Sequence, residues 1–282
     1  MTVFTKKKEF QNHLVQLNST QRSIGFVPTM GALHQGHISL VKKALQDNDI
    51  VVVSIFVNPT QFDNRNDLEK YPRTLERDTQ LLQQISTEIL IYAPTVDDIY
   101  EGEVKSDSFL FGGLEFEMEG KFRKGHFDGV GTIVKRLFEI VKPNNAYFGE
   151  KDFQQLAIIK AMVKNYQLPV KIIGCPIHRE SSGLAMSSRN ERLKPEYKKA
   201  APFIFKTLKA VKKQFGTKSA NQVTKWVEKQ FNKRPLLKLE YFIIADVETL
   251  KPVKRKSNKK EYRAFIAVYA DDIRLIDNIA LN

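Results

Sequence analysis

The sequence predicts an α/β fold: a Rossmann-like, doubly wound parallel sheet followed by a smaller α+β C-terminal domain. Short apolar runs alternate with helix-like segments through the first part of the chain. The run Ile50–Val57 is almost wholly apolar and β-branched, which is typical of a strand covered on both faces of a parallel sheet. Beyond about His178 the alternation stops. We therefore expect one domain over 1–177 and a second over 178–282.

The elements follow from local periodicity and from the residues that end each segment. A helix-like segment opens the chain, and the first strand covers Ile24–Val27. Leu40, Val41, Ala44 and Leu45 have the spacing of a helix. Further strands are predicted at Ile50–Val57, Ile89–Ala93, Ala146–Phe148 and Val170–Ile173, and helices at Thr132–Val141 and 152–166. The second domain is predicted to hold helices near Pro195–Phe215 and Ala220–Phe231, and strands near Leu239–Ile244 and Arg263–Ala270.

Composition favours a soluble, cytoplasmic globular protein of 282 residues without a membrane span or signal peptide. The single cysteine, Cys175, excludes an internal disulfide and is expected to be a buried, inert thiol. The net charge of +13 raises the possibility of a polyanion partner, but the surplus is local. Between Glu191 and Lys260 there are 20 Lys and Arg but 6 Asp and Glu. The densest run, Lys251–Lys260, is expected to be a solvated loop without a catalytic role.

The most informative stretch is Pro28–His37, which lies on a predicted strand-to-helix turn. Its two glycines let the backbone approach a ligand closely, and the helix that follows offers N–H groups and a positive dipole end to an anion. His34 and His37 are three residues apart, so both rings are expected on one side of the first turn. This combination favours nucleotide chemistry, although a Gly-rich turn with two histidines is also compatible with an ordinary surface loop.

Three further polar segments follow predicted strands. They are 58–62, 149–152 and 179–189. In open α/β sheets, ligands bind at the carboxyl ends of the strands. We therefore expect all four segments to converge on one crevice at the domain boundary.

The chain resembles the pantothenate synthetase family (pantoate–β-alanine ligases) of the nucleotidyltransferase superfamily that carries the His-x-Gly-His motif. The resemblance covers nearly the whole chain. It is carried by V-P-T-M-G-A-L-H-Q-G-H, V-V-S-I-F-V-N-P-T-Q-F, Y-P-R-T, G-H-F-D-G-V, Y-F-G-E-K-D-F-Q-Q-L, G-L-A-M-S-S-R-N and R-L-I-D-N. Lys124 departs from the family, which usually has proline before Gly-His-Phe.

The resemblance implies ATP-dependent condensation of pantoate with β-alanine through a pantoyl adenylate, releasing pyrophosphate and AMP. Adenylation replaces the poor leaving group of a carboxylate, and its transition state needs donors and cations around the phosphates. The family's catalytic positions correspond to His34, His37, Lys151 and Arg189. The ATP-binding positions correspond to Met30, Gly31, Ala32, Leu33, His34, Gln35, Gly36, His37, Gly149, Glu150, Lys151, Asp152, His178 (through its main chain), Met186, Ser187, Ser188 and Arg189.

The family's pantoate-binding positions correspond to Gln61, Gln155 and Met30, and β-alanine is assigned to Gln61 and Asn58. A neutral amide can both donate to and accept from hydroxyls, which suits pantoate. Mg²⁺ is implied because ATP is the substrate, with Asp78 as a possible contributor. Arg123 and His126 are second-rank site residues for which a structural role is equally compatible, and 63–73 is a candidate mobile wall. The family also implies a homodimer formed through the N-terminal domain.

Two other functions remain open at this stage. An adenylyltransferase acting on a phosphate monoester predicts Arg or Lys, in place of glutamines, around the second substrate, and would release pyrophosphate without AMP. A basic nucleic-acid binder predicts steeply salt-dependent binding but leaves the paired histidines and Gly149–Asp152 unexplained. Nucleic acid is therefore not the expected partner.

Overall fold

The computed structural model describes residues 2–17, 22–62 and 68–282, and it divides into two compact units. The first unit comprises residues 1–150 and 155–176, and the second comprises 151–154 and 177–282. The second unit thus begins close to the boundary expected from the sequence. It also takes four residues, Lys151–Gln154, from inside the segment assigned to the first domain.

The first unit is built on six parallel strands. They are β1 (Thr2–Phe4), β2 (Ile24–Thr29), β3 (Ile50–Ile55), β4 (Leu90–Tyr92), β5 (Asn145–Gly149) and β6 (Lys171–Cys175). Their order across the sheet is β1-β4-β3-β2-β5-β6, and every pairing is parallel. Its helices are α1 (Lys7–Leu17), α2 (Gln35–Asp47), α3 (Leu75–Gln83), α4 (Val96–Tyr100), α5 (Glu119–Phe122), α6 (His126–Val141) and α7 (Phe153–Asn165), whose first two residues belong to the second unit.

The prediction of a doubly covered sheet is confirmed by the way β3 buries its side chains. Ile50 and Val52 face a core cluster that also contains residues of α1, α6 and α7. Val51 and Val53 face a second cluster with residues of α2 and α3. Because successive side chains of a strand point to opposite faces, an unbroken apolar run is stable only where both faces are buried.

The second unit packs helices on one antiparallel sheet. Its elements are α8 (Pro195–Ala200), α9 (Phe203–Phe215), α10 (Ala220–Phe231), β7 (Lys238–Asp246), β8 (Tyr262–Ala270) and β9 (Ile273–Ala280), with the strands in the order β7-β8-β9. Buried residues of α9 and α10 form one cluster with apolar residues of the sheet. The helical segment expected over Pro195–Phe215 is two helices, which break at Ala201–Pro202 because proline lacks the N–H that would continue the first helix.

Two strands were not predicted. β1 is three residues long and lies at the edge of the parallel sheet, too short to show periodicity. β9 has consecutive buried residues, Asp277 and Asn278, which break the alternation by which a half-buried strand is identified. Helix α6 begins six residues before the predicted start, at His126.

The basic run Lys251–Lys260 is a mostly exposed loop, as expected, but two of its lysines make tertiary contacts. Lys260 forms an ion pair of 2.7 Å with the buried Asp246. Lys256 donates to the main-chain oxygen of Phe215, the last residue of α9, and to that of Lys218 in the turn that follows. A cation is favourable there because the helix dipole is negative at that end. Part of the positive surplus therefore stabilises the second unit.

Candidate active site

The sheet topology brings the first and third polar segments to neighbouring strands. Strand β2 lies between β3 and β5. After β2 the chain adds β3 and β4 on one side of it and then β5 and β6 on the other, so the strand order reverses at the β2–β5 pair. Such a reversal of strand order is the usual ligand-binding position of an open α/β sheet. The turn after β2 carries the two histidines, and β5 ends at Gly149, followed by Glu150.

The turn between β2 and α2 is held by one buried carboxylate. Gly31 and Ala32 have left-handed backbone angles, φ +81° and +48°, and a non-glycine residue adopts these only where its surroundings enforce them. The two oxygens of Asp78 accept the main-chain N–H groups of Ala32 (2.9 Å) and Leu33 (2.8 Å). Asp78 is fully buried, and Thr74 donates a further bond of 3.2 Å to it. Its carboxylate thus fixes the strained turn directly before His34.

Asp78 was assigned from sequence as a possible magnesium contributor. The hydrogen bonds to the turn occupy both of its oxygens and burial removes them from solvent, so the carboxylate is a poor fit for a hydrated magnesium ion. No group of three or more His, Cys, Asp or Glu side chains is arranged to hold a metal ion within 2–17, 22–62 and 68–282.

The hydrogen bonds in the first turn of α2 indicate the tautomer of both neutral histidine rings. His34 is the N-cap, and its Nδ1 accepts the N–H of Gly36 at 3.1 Å. The Nδ1 of His37 accepts the N–H of His34 at 3.3 Å, which completes a reciprocal capping box. A main-chain N–H can only donate, so Nδ1 is unprotonated in both rings and the neutral rings carry their proton on Nε2. The ring centroids are 4.1 Å apart, so both rings lie together at the start of the helix.

The segment after β3 forms a buried amide network. Asn58 is 1 % exposed and donates to the Gly129 main-chain oxygen at 3.1 Å. The Tyr100 hydroxyl donates to the Asn58 side-chain oxygen at 2.5 Å. Burial raises the pKa of the Tyr100 phenol, so its hydroxyl stays a donor. Asn58 in turn donates to the Gln61 side chain at 3.3 Å, which gives Gln61 a defined orientation.

Gln61 is fixed from two other directions. Its amide nitrogen donates to the Met30 sulfur at 2.8 Å, which joins two of the residues that the resemblance assigns to pantoate. Its main-chain oxygen accepts from Arg123 (3.3 Å) and from the Nδ1 of His126 (2.8 Å). Arg123 also contacts the His126 Nε2 at 3.1 Å; because a guanidinium only donates, His126 carries its proton on Nδ1. For Arg123 and His126 the structure therefore supports positioning of Gln61.

The remaining assigned residues of the first unit are of mixed character. Gln155 is half-buried on α7. The side chain of Leu33 is 1 % exposed and belongs to a core cluster, so only its main chain is available to a ligand. In the candidate wall 63–73, residues 63–67 lie outside the described part of the chain, while Tyr71 is buried and packs edge-on against Phe62. Cys175 is buried, and burial raises the pKa of its thiol, which agrees with an inert role.

The second unit carries the assigned cations. Lys151 is half-buried with its Nζ 3.7 Å from Asp152, and Asn278 donates to the Lys151 main-chain oxygen at 2.9 Å. The exposed His178 accepts the Met186 N–H on its main-chain oxygen at 3.0 Å. Met186, Ser187, Ser188 and Arg189 are all half-buried, and the Ser187 hydroxyl accepts the N–H of Arg189 at 3.3 Å.

Sequence reasoning missed several supporting residues. Tyr100 and Thr29 carried no signal of their own, and Thr29 links β2 to β3 by donating to the Ser54 oxygen at 2.7 Å. Gly129 was visible only inside a family string. In the structure, a Cβ at Gly129 would lie 2.3 Å from the Thr60 main-chain oxygen, so the bare glycine permits α6 to pack against 58–61.

The comparisons with known proteins identify the family. A family model described as pantoate-beta-alanine ligase matches residues 2–280. The pantothenate synthetase of Flavobacterium psychrophilum is 59 % identical over 281 residues, covering 100 % of both chains. That of Christiangramia forsetii is 57 % identical with the same coverage.

Solved structures give the same result. The pantothenate synthetase of Thermus thermophilus is 39 % identical and superposes with a TM-score of 0.92, covering 100 % of this chain and 99 % of that one. The pantoate-beta-alanine ligase of Francisella tularensis, solved with β,γ-ATP and β-alanine, is 38 % identical with a TM-score of 0.79, covering 100 % and 98 %. This chain therefore belongs to the pantoate–β-alanine ligase family.

Proposed function

We propose that this protein condenses pantoate with β-alanine at the expense of ATP, giving pantothenate, AMP and pyrophosphate through a pantoyl adenylate. The observation that carries the proposal is the pair of Nε2–H donors fixed at the start of α2, in the same unit as the Met30–Gln61 contact. The two histidine donors suit phosphate oxygens. Gln61 and Met30 offer an amide and a thioether to a substrate with hydroxyls and methyl groups.

In adenylation, the pantoate carboxylate attacks the α-phosphorus of ATP and pyrophosphate leaves. The nucleophile is already ionised at neutral pH, so the site needs no strong base. It needs groups that stabilise charge as it develops on the phosphates, and preorganised donors achieve this because they need no reorientation during the reaction. His34 and His37 supply neutral donors, while Lys151 and Arg189 supply cations, with Arg189 offering a planar fork to oxygens.

In the second step, the amine of β-alanine attacks the acyl carbon of the adenylate and AMP leaves. Gln61, Gln155 and Met30 hold the pantoyl group, and Asn58 supports Gln61 on the side assigned to β-alanine. Mg²⁺ enters with the phosphates of ATP and requires few protein ligands of its own.

The assembly we propose is a homodimer formed through the first unit, working in the cytoplasm. The first unit exposes large apolar side chains, among them Leu110 at 76 % and Phe116 at 71 %, and such residues commonly become buried at subunit contacts. Light scattering with size-exclusion chromatography measures the mass, and a monomer at micromolar concentration contradicts the assignment. No helix in the described part of the chain is both long and apolar enough to cross a membrane.

The decisive test combines omission with half-reactions. The protein is incubated with ATP, Mg²⁺, pantoate and β-alanine, each is omitted in turn, and AMP and pantothenate are measured. Release of pyrophosphate without AMP in the complete mixture, or turnover independent of pantoate, contradicts the proposal.

The half-reactions separate the roles of the assigned residues. We expect His37→Ala and Lys151→Ala to slow pantoate-dependent exchange between pyrophosphate and ATP by about 10²–10³, the usual loss of one preorganised donor. Supplied with preformed pantoyl adenylate and β-alanine, both variants should still form pantothenate at a substantial rate. Equal losses in both steps, with adenylate binding unchanged, would mean that these residues also act on the acyl centre.

A further inference from the structure

Two consecutive residues of β9, Asp277 and Asn278, are buried together although they follow each other in a strand. They are 4 % and 2 % exposed. Successive side chains of a strand normally point to opposite faces, so one of the two would be expected in solvent. A buried carboxylate and a buried amide are costly unless they are paired, and each has identifiable partners within the second unit.

Asn278 holds the segment that carries Lys151. Its Nδ2 donates to the Lys151 main-chain oxygen at 2.9 Å. Its Oδ1 accepts from Arg263, whose guanidinium lies 4.2 Å from the ring centroid of Phe153. The Asn278 amide thus contacts the Lys151 main chain directly. Through Arg263 it is also linked to Phe153, two residues after Lys151.

Asp277 holds the hairpin that leads to Ser187–Arg189. Its two oxygens accept from the two terminal nitrogens of Arg179 at 2.7 and 2.9 Å, the bidentate geometry that is strongest for this pair. Arg179 also donates to the Gly183 main-chain oxygen at 3.1 Å and pairs with Ala185 in an antiparallel bridge. The guanidinium lies 3.6 Å from the ring centroid of Phe205, so four contacts fix Arg179 at the base of the hairpin.

We infer that Asp277 and Asn278 are positioning residues for the adenylation step, which hold the Lys151 main chain and the base of the Ser187–Arg189 loop from one point of β9. The inference rests on the proposed phosphate roles of Lys151 and Arg189. The side chains of Lys151 and Arg189 are long and flexible. A fixed main chain at the base of each side chain therefore restricts where its charge can lie. Removal of either tether displaces a cation from the phosphates while the parallel sheet of the first unit stays intact.

Asn278→Asp is the most selective probe. The substituted carboxylate keeps an acceptor for Arg263 but replaces the Nδ2 donor with an oxygen that faces the Lys151 carbonyl oxygen. We expect pantoate-dependent exchange between pyrophosphate and ATP to fall by about 10- to 100-fold, the scale of a displacement near 1 Å. The KM for pantoate and the reaction of preformed pantoyl adenylate with β-alanine should change little. Asn278→Ala is the control for the added charge. Both variants lose the hydrogen bond to the Lys151 main chain, but only Asn278→Asp adds a negative charge that could repel ATP.

Asp277→Asn tests the contact between Asp277 and Arg179, and Glu240→Gln is its matched control. Glu240 accepts two bonds from Arg274 of the same strand as Asp277, at 2.8 and 2.6 Å, so this control also neutralises an Arg-paired carboxylate in the three-stranded sheet. We expect Asp277→Asn to slow the exchange and Glu240→Gln to leave it unchanged. Equal effects of the two substitutions on the exchange overturn the assignment of Asp277.

Non-additivity distinguishes positioning from general stabilisation. If Asn278 acts through Lys151, Asn278→Ala should slow adenylation in the wild-type chain but cause no further loss in a Lys151→Ala chain. A further loss of the same size, or unchanged exchange in both Asn278 variants of an active protein, overturns the inference alone. No pantoate-dependent exchange in the wild-type chain overturns the proposed function and this inference with it.

Discussion

The packing of α6 against the segment after β3 makes Gly129→Ala a sharp test of the proposed pantoate site. The added methyl carbon would lie 2.3 Å from the Thr60 main-chain oxygen, 2.7 Å from its carbonyl carbon and 2.9 Å from the Gln61 Cα. A carbon and an oxygen in ordinary contact are about 3.3–3.6 Å apart. The main chain at Thr60–Gln61 must therefore move by about 1 Å, because a main-chain atom cannot rotate away as a side chain can.

The effect on activity should exceed the effect on stability. Alanine gains about 0.5–1 kcal/mol over glycine within a helix, which offsets part of the 1–3 kcal/mol that overpacking typically costs. A displacement of about 1 Å at a substrate-binding group costs roughly 10² in rate. We therefore expect kcat/KM for pantoate to fall by about 10², with a smaller change for ATP, while the free energy of unfolding falls by about 1–2 kcal/mol.

Steady-state kinetics with pantoate and ATP varied separately, together with urea denaturation, measure both quantities. Gly131→Ala is the matched control on the same helix, because the three atoms nearest to its Cβ would be side-chain atoms of Phe109 and Phe111, at 2.9–3.1 Å, and not main-chain atoms. This control should lower stability without a selective effect on pantoate. The reasoning would be refuted if kcat/KM of Gly129→Ala for pantoate stayed within about threefold of wild type. Such a change corresponds to less than about 1 kcal/mol in the activation free energy.

Four further predictions follow from single contacts. Asp78→Asn should lower the free energy of unfolding by about 1.5–3 kcal/mol and slow adenylation, because an amide cannot accept both main-chain N–H groups of the turn; an unchanged urea midpoint would contradict this. Gln61→Ala should raise the KM for pantoate far more than that for ATP, by the equivalent of roughly 1–3 kcal/mol, and equal changes would refute the assignment. Burial raises the pKa of Asp246, but the hydrogen bonds from Lys260 and Thr249 outweigh it, so the folded pKa lies below the ordinary value. The stabilisation is therefore present at neutral pH and lost as the pH falls through the folded pKa; the stability difference between wild type and Asp246→Asn should be constant from about pH 7 to 5 and shrink below about pH 4. Cys175 should react with iodoacetamide at neutral pH only as fast as the protein unfolds, and rapid alkylation of the native protein would contradict its burial.

The fold was predictable where a single physical requirement governs many consecutive residues. The apolar run of β3 is one case, since burial on both faces leaves no position for a polar side chain. The paired histidines and Gln61 were identified by motif, and the structure adds the hydrogen bonds that orient them. The tautomers could not be deduced from sequence, because they depend on which ring nitrogen meets a main-chain N–H.

Contacts between distant residues were not predictable. Asp78 reaches the turn after β2 across 46 residues, and an aspartate in the first turn of a helix is equally typical of favourable interaction with the helix dipole. Asn278 is the same kind of case, because a buried amide in a strand gives no indication of its partner. Periodicity reports which face of an element is buried, but it does not report which main-chain groups a polar side chain satisfies.

The assignment of Lys151–Gln154 to the second unit affects the order of events during synthesis. The main-chain oxygen of Lys151 emerges from the ribosome 127 residues before Asn278, its side-chain donor. All six parallel strands are complete by Cys175, so the first unit has its whole sheet while the partners of Lys151–Gln154 are still being translated. A chain that stops before Asn278 therefore has the paired histidines and the glutamines but lacks the donor for Lys151. If Asn278 positions Lys151 as we infer, the parallel sheet is complete in sequence before the chain can carry out adenylation.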